Sequence, residues 1–202
     1  MELGEAVRRR RMTRNFCGSS VDASLVDQVL AAALRAPSAG FAQGVDLVVL
    51  QGPERRARFW ELASDPRWRS SGGRAAGLMA APVLVLPVAE PAAYAARYAD
   101  ADKSASGLAG LEPETWPVPY WLVDTAFAVM LLLLAAEGAG LGSLFFRLHG
   151  DPDAVLAGLG VPPGRCAIGA VALGHPAAPD PRTSPSRRAR RTLDDVVHRE
   201  RW

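Results

Sequence analysis

WLVDTAFAVMLLLLAAEGAGLG, Trp121 to Gly142, is the stretch on which the fold turns. From Thr125 through Ala136 it carries no charge, and apolar residues occupy every side of a helix of that length. A surface helix shows a polar stripe, and this one shows none. It is therefore expected to be covered all round, in the middle of a domain or between two subunits. Asp124 and Glu137 bound an apolar run short of the ~20 residues a bilayer requires, so no membrane span is expected. Gly138, Gly140 and Gly142 stop the helix, because glycine enters the left-handed cap conformation at little steric cost. Ser143-Leu144-Phe145-Phe146 then reads as a strand. A glycine-relieved exit from an apolar helix is a place where backbone can lie close against a flat ligand.

Outward from this axis, 202 residues suffice for one domain, taken as 1–202, with a real core. A hydrophobic content of 49% excludes a disordered chain. A formal charge of +2 argues against nucleic acid as a partner. Lysine occurs once, at Lys103, among 23 basic residues, and arginines cluster at Arg8–Arg14 and Arg187–Arg191. Cys17 and Cys166 are far apart and in no metal-ligand spacing; they read as free, buried thiols of a reducing compartment. Glu2 and Glu5 precede four arginines and no apolar leader follows, so the expected location is the cytoplasm.

Along the chain, residues 2–11 predict a short helix and Met12 to Phe16 an extended segment. Asp22 can cap a helix whose apolar positions Leu25, Val26, Val29, Leu30, Ala33 and Leu34 keep the helical period until Pro37. Asp46 to Leu50 and Val83 to Val88 predict strands. Pro53 and Pro152 sit where proline favours a helix start, and residues 68–79 are weakly helical. Ala167 to Leu173 predicts a last strand, and Pro176 to Pro185 a coil. Residues 90–119, rich in alanine, glycine and proline, form an insert with the character of a lid. Strands separated by helices without a regular repeat predict an α+β fold.

Two groups carry chemistry. Standing alone, Arg8–Arg14 would be a solvated helix face. Yet Arg10, Arg11 and Arg14 converge if the helix breaks near Met12, and Arg187, Arg188, Arg190 and Arg191 form an equally dense group in a segment too polar for a core. The planar guanidinium suits phosphate bidentately, so the two groups make sense gripping one phosphate. The second group is Ala36-Pro37-Ser38-Ala39-Gly40-Phe41-Ala42-Gln43. Its small residues, with the polar Ser38 and Gln43, suit backbone laid against the edge of a planar heterocycle. His149, His175 and His198 are scattered and read as structural. No metal site or nucleophilic triad competes, and Gly138-x-Gly140-x-Gly142 follows a helix, out of context for dinucleotide binding.

Arg10-Arg11-Met12-Thr13-Arg14-Asn15-Phe16, Ala36-Pro37-Ser38 with Gln43, Asp124 opening the apolar helix into Gly140-Leu141-Gly142-Ser143, Gly174-His175-Pro176 and Arg188-Ala189-Arg190 stand in the order of the nitroreductase family of flavin enzymes, which the chain resembles over nearly its whole length. The resemblance implies a homodimer with intertwined termini and a central mixed sheet of four to five strands flanked by helices. It implies FMN at the subunit interface. Arg10, Arg11, Met12 and Arg14 would face its phosphate, ribityl and pyrimidine side, and Arg188 and Arg190 would close on the phosphate. Pro37, Ser38, Ala39 and Gln43 of the other subunit would line the ring, and the backbone at Phe145, Phe146 and Arg147 would cover its other face. Phe41, Trp116 and Tyr120 would meet the substrate. No side chain is expected to be catalytic, since flavin N5 carries the chemistry.

The implied reaction is ping-pong, from NAD(P)H to a nitroaromatic, quinone or similar electron-poor acceptor. A flavin dehydrogenase or oxidase of a biosynthetic pathway, and a flavin- or deazaflavin-binding protein without turnover, stay open beside it. The family commonly has Ser at Met12, Asn at Phe41 and Gln-Pro-Trp at Gln43-Gly44-Val45, so the departures fall on the acceptor side of the site.

Overall fold

A computed structural model describes residues 1–178 and 188–202. The helices are α1 (Leu3–Arg9), α2 (Ala23–Ala33), α3 (Pro53–Ala63), α4 (Pro66–Arg69), α5 (Gly73–Met79), α6 (Pro91–Tyr98), α7 (Tyr120–Gly138) and α8 (Pro152–Gly158). The strands are β1 (Val45–Leu50), β2 (Val83–Ala89), β3 (Gly142–Phe146), β4 (Cys166–Ala167) and β5 (Ala170–Gly174). Local chemistry sets many of these ends. Asp22 accepts the Ser24 N–H at 2.8 Å, Asp65 the Arg67 N–H at 2.7 Å and Asp151 the Asp153 N–H at 3.0 Å. Each satisfies a helix-start donor that the helix itself leaves unpaired.

The strands form one sheet in the order β1-β2-β5-β3, with β4 also on β2. Every ladder between them is antiparallel. The expected mixing is confined to one parallel bridge, Met12 to Ser143. The strand expected over Ala167–Leu173 is broken, and the register explains it. Between the pairs Val85↔Val171 and Val88↔Ala167, β2 advances three residues while its partner uses four. The extra residue is a bulge. It lies opposite Pro87, which has no N–H for a ladder, and at Gly169, whose φ is +149°. A Cβ at Gly169 would lie 2.6 Å from the Phe146 carbonyl oxygen.

The sheet is covered on both faces. Alternation along β2 sends Val83 and Val85 toward α2 and α7, where Val26, Val29, Ala128 and Leu132 pack. Leu84, Leu86 and Val88 face Phe59, Trp60, Val155 and Leu156 from α3 and α8. Length and composition alone would let α7 cross a bilayer. Its place against α1, α2 and the sheet makes it the central helix of this fold.

Within the single chain α7 is covered on one side only. Asp124, Thr125, Ala128, Val129, Leu132, Leu133 and Ala136 are buried. Phe127 and Met130, on the opposite side, are 46% and 41% exposed.

The insert at 90–119 is largely ordered into α6 and two 3-10 turns, Ala101–Ser106 and Pro113–Thr115. Its aromatic residues Tyr94 and Trp116 are buried with Trp121 of α7.

Candidate functional site

Two of the groups singled out by sequence, the 36–43 loop and the Arg8–Arg14 segment, lie at the two ends of α7. At its N-terminal end, the chain leaving α2 passes through Pro37 and Ser38 into a 3-10 turn, Ala39–Phe41. Asp124, 4% exposed, holds that turn: its Oδ2 accepts the Ala39 N–H at 2.8 Å and the Tyr94 hydroxyl at 2.7 Å. Burial first, and the Asp124 carboxylate second, push the Tyr94 phenol up, so it remains a donor. Ser38 Oγ accepts the Gln43 N–H at 3.1 Å. Leu34, Pro37, Ser38, Gln43, Asp124 and Ala128 bound a cavity of about 180 Å³ here.

Gly40, Phe41 and Gln43 all have positive φ, at 60°, 60° and 54°. For a bulky residue such as Phe41 that backbone is an outlier. Its ring stands 72% exposed.

At the other end, α1 stops at Arg9 and the chain crosses to β3. The Thr13 N–H donates to the Ser143 carbonyl at 2.9 Å. The approach needs glycine at position 142, where a Cβ would lie 2.6 Å from Thr13 Oγ1. Arg8, Arg9, Arg11, Thr13, Glu137 and Gly142 bound a depression of about 400 Å³. Arg9 pairs with Glu137 at 3.4 Å. Arg11 folds back on α1, its Nη1 donating to the carbonyls of Arg8, Arg9 and Arg10 at 2.7, 3.0 and 3.0 Å. It thus satisfies C-terminal acceptors of its own helix. Arg14 Nη1 donates to the Met12 carbonyl at 2.9 Å.

Arg10 differs from its neighbours. It is half-buried, and among the described residues its buried Nη1 has no hydrogen-bond partner. A buried guanidinium N–H without an acceptor is costly.

The remaining expectations divide. β3 alternates, so Phe145 packs on the α7 side while Phe146 packs on the other, stacked on Trp60 with centroids 5.5 Å apart. Only backbone is then offered in common along this edge. Arg147 is exposed and, with Ile168 and Gly169, borders a separate depression of about 280 Å³.

Trp116, expected to meet the substrate, is buried among aromatic residues of this chain. It is 6% exposed, edge-on to Tyr98, Tyr120 and Trp121, and its Nε1 donates to the Leu111 carbonyl at 3.3 Å. Tyr120 is half-buried beside it. Arg188 and Arg190 lie in a segment, 188–202, exposed along its whole length; Arg187, and residues 179–185 of the coil expected over 176–185, lie outside the described residues.

Cys17 is exposed, correcting the expected burial, and its hydrogen bond with Ser19 draws the thiol down; Cys166 is half-buried and also free. His198 is exposed and stacks on the exposed Trp202, ring centroids 4.1 Å apart.

Sequence reading missed Tyr94 and Arg97 and assigned no role to the Asp124 carboxylate. Tyr94 lies 30 residues before Asp124, and Arg97 donates to the carbonyl of Gly40, 57 residues earlier, so no local pattern announces either contact.

The two groups stand apart within one chain. Asp124 and Glu137 are separated by thirteen helical residues, about 20 Å at ~1.5 Å per residue.

Comparison with known proteins bears on this arrangement. A profile of the Nitroreductase family matches residues 7–110. A Thermus thermophilus protein described as NADH dehydrogenase is 31% identical over 200 residues, covering 88% of each chain. Among solved structures, a Clostridium difficile nitroreductase family protein superposes with a TM-score of 0.71 at 20% identity, over 100% of both chains. The NADPH:FMN oxidoreductase of Vibrio harveyi, solved with NAD+, gives 0.72 at 22% identity, over 99% of this chain and 77% of that one. The structural likenesses speak for the fold, and the profile and the Thermus relative for descent: this chain belongs to the nitroreductase family.

Proposed function

We propose that this nitroreductase-family enzyme binds FMN, takes hydride from NADH or NADPH, and passes electrons to a nitroaromatic, quinone or similar electron-poor acceptor in a ping-pong cycle. The observation that carries the reading is the buried, unpartnered Nη1 of Arg10, a residue of the segment that runs into a chain crossing so tight that Gly142 admits no side chain. Such a donor fits a phosphate, and Arg14, Arg188 and Arg190 would add charge to the same anion. When bound, FMN supplies the two-electron chemistry. The chain supplies position and field.

The separation of the two groups supports a homodimer. One copy carries the basic group at the Glu137 end of α7 and the Ser38–Gln43 loop at the Asp124 end. Two copies of α7 packed antiparallel about a two-fold axis would set the loop of one beside the arginines of the other. Met130 lies near the midpoint of that span and, with Phe127, presents an uncovered apolar side of α7. Pro37, Ser38, Ala39 and Gln43 would then border the ring from the partner's side. The backbone at Phe145–Arg147 would border it from its own, with Phe41 and Tyr120 toward the acceptor. The 90–119 insert would form the wall of the acceptor entrance.

Purified protein should be yellow with one FMN per chain and should bleach on anaerobic mixing with NADH or NADPH. Protein that takes up no FMN on titration overturns the cofactor. A yellow protein inert to both nicotinamides, but reduced normally by dithionite, overturns the electron donor.

A further inference from the structure

Phe41 holds a left-handed backbone that nothing in its own side chain favours, so its neighbours must impose it. Within the loop the Phe41 N–H donates to the Ser38 carbonyl at 2.9 Å, and a second hold comes from the insert. Arg97 Nε donates to the Gly40 carbonyl at 2.7 Å. The rest of the guanidinium is locked from behind: Nη1 and Nη2 donate to the two Asp102 oxygens, both at 2.7 Å, and Nη1 also to Asp100 at 3.0 Å.

The Gly40 carbonyl belongs to the peptide plane that leads into Phe41, and that plane is rigid. Holding its oxygen fixes the Phe41 N–Cα bond, the axis about which φ turns the side chain. The flanks are fixed as well. Glu90 N–H donates to the Gly44 carbonyl at 2.9 Å, and the Tyr98 ring is 3.0 Å from where a Gly40 Cβ would sit. α6 is therefore a brace under the loop, and its outward product is one exposed aromatic ring.

We infer that Arg97 is a positioning residue that holds Phe41 as a fixed stacking face at the acceptor entrance, so that the site favours acceptors with the larger planar face. This rests on the function proposed above. A planar acceptor gains by offset stacking on a ring already in place, whereas a mobile ring would first have to be ordered.

The experiment uses the FMN-loaded enzyme as wild type, Arg97→Ala, Arg97→Lys, Phe41→Ala and the Arg97→Ala/Phe41→Ala double variant. Steady-state kinetics with menadione and with p-benzoquinone, both against the same nicotinamide, give the ratio of kcat/KM for the larger to the smaller acceptor. Arg97→Ala should lower that ratio about five- to twentyfold, mainly through KM, with FMN content and the nicotinamide half-reaction within about twofold of wild type. Arg97→Lys should fall between, since an ammonium has no planar fork to hold Gly40 and Asp102 together. The double variant should match Phe41→Ala alone, because Arg97 acts through that ring.

An unchanged ratio in Arg97→Ala, or an equal further drop when Arg97→Ala is added to Phe41→Ala, overturns the inference. Should Arg97→Ala fail to fold, Asp102→Asn loosens the same guanidinium from behind and should shift the ratio in the same direction, and no shift overturns the inference. Wild-type protein without FMN or nicotinamide turnover overturns the proposed function itself. An active wild type with additive variants overturns only the role of Arg97.

Discussion

Asp124 accepts the hydroxyl of Tyr94 at 2.7 Å, and the same carboxylate oxygen takes the Ala39 N–H at 2.8 Å. A single buried oxygen on α7 thereby ties the insert to the loop proposed to border the flavin. Tyr94→Phe removes one of its two donors with little change in shape. A hydrogen bond to a charged group is worth about 1.5–3 kcal/mol, so the variant should unfold at correspondingly lower urea concentration while still binding FMN. Unchanged stability would mean that the carboxylate finds another donor.

The phosphate assignment predicts that Arg14→Ala combined with Arg190→Ala gives colourless protein. Arg10→Ala should weaken FMN far more than riboflavin, which lacks the phosphate. Flavin fluorescence titrations of the three proteins measure this, and stoichiometric FMN in the double variant would reject the assignment.

Phe127 and Met130 lie on the uncovered side of α7. Met130→Glu would place a charge at the centre of the proposed two-fold contact, where burial without a partner costs several kcal/mol. The variant should sediment as a monomer and lose FMN with its partner. A wild-type protein that is monomeric yet holds stoichiometric FMN would refute the shared site.

Gly142→Ala tests the chain crossing. The added Cβ would meet Thr13 Oγ1 at 2.6 Å and Thr13 Cβ at 2.9 Å. Forcing the 12–14 segment off β3 should destabilise by about 1–3 kcal/mol and displace Arg14. Thermal unfolding and FMN affinity should therefore fall together. A stable variant with weakened FMN would assign Gly142 to the ligand rather than to the crossing.

The Arg97 brace also has a pH signature. Asp102, ordinarily near 3.8, is drawn down to about 2, chiefly by its hydrogen bonds to Arg97. With the folded value below the unfolded one, the pair's contribution is complete above about pH 4 and is lost as pH falls toward 2. Acceptor selectivity should therefore be flat between about pH 5 and pH 8. A break near neutrality, seen in kcat/KM ratios, would show that another group orders the loop.

What could be read from the residues alone is what obeys short-range rules. The charge-free run in α7, the apolar run in β2, the period of α2, the cap at Asp22 and the prolines at 53 and 152 each depend on neighbours a few residues away, so the order of elements and the family landmarks were legible. Only the folded chain decided that Pro87 opposes a bulge at Gly169, that Trp116 is core, that Arg11 caps its own helix and that Arg97 grips Gly40. Each joins or buries groups that no local repeat links, and their geometry exists only after distant segments have packed. One side of α7 shows the same division: composition demanded cover for its apolar surface, but the folded chain determined that Phe127 and Met130 would be left without it.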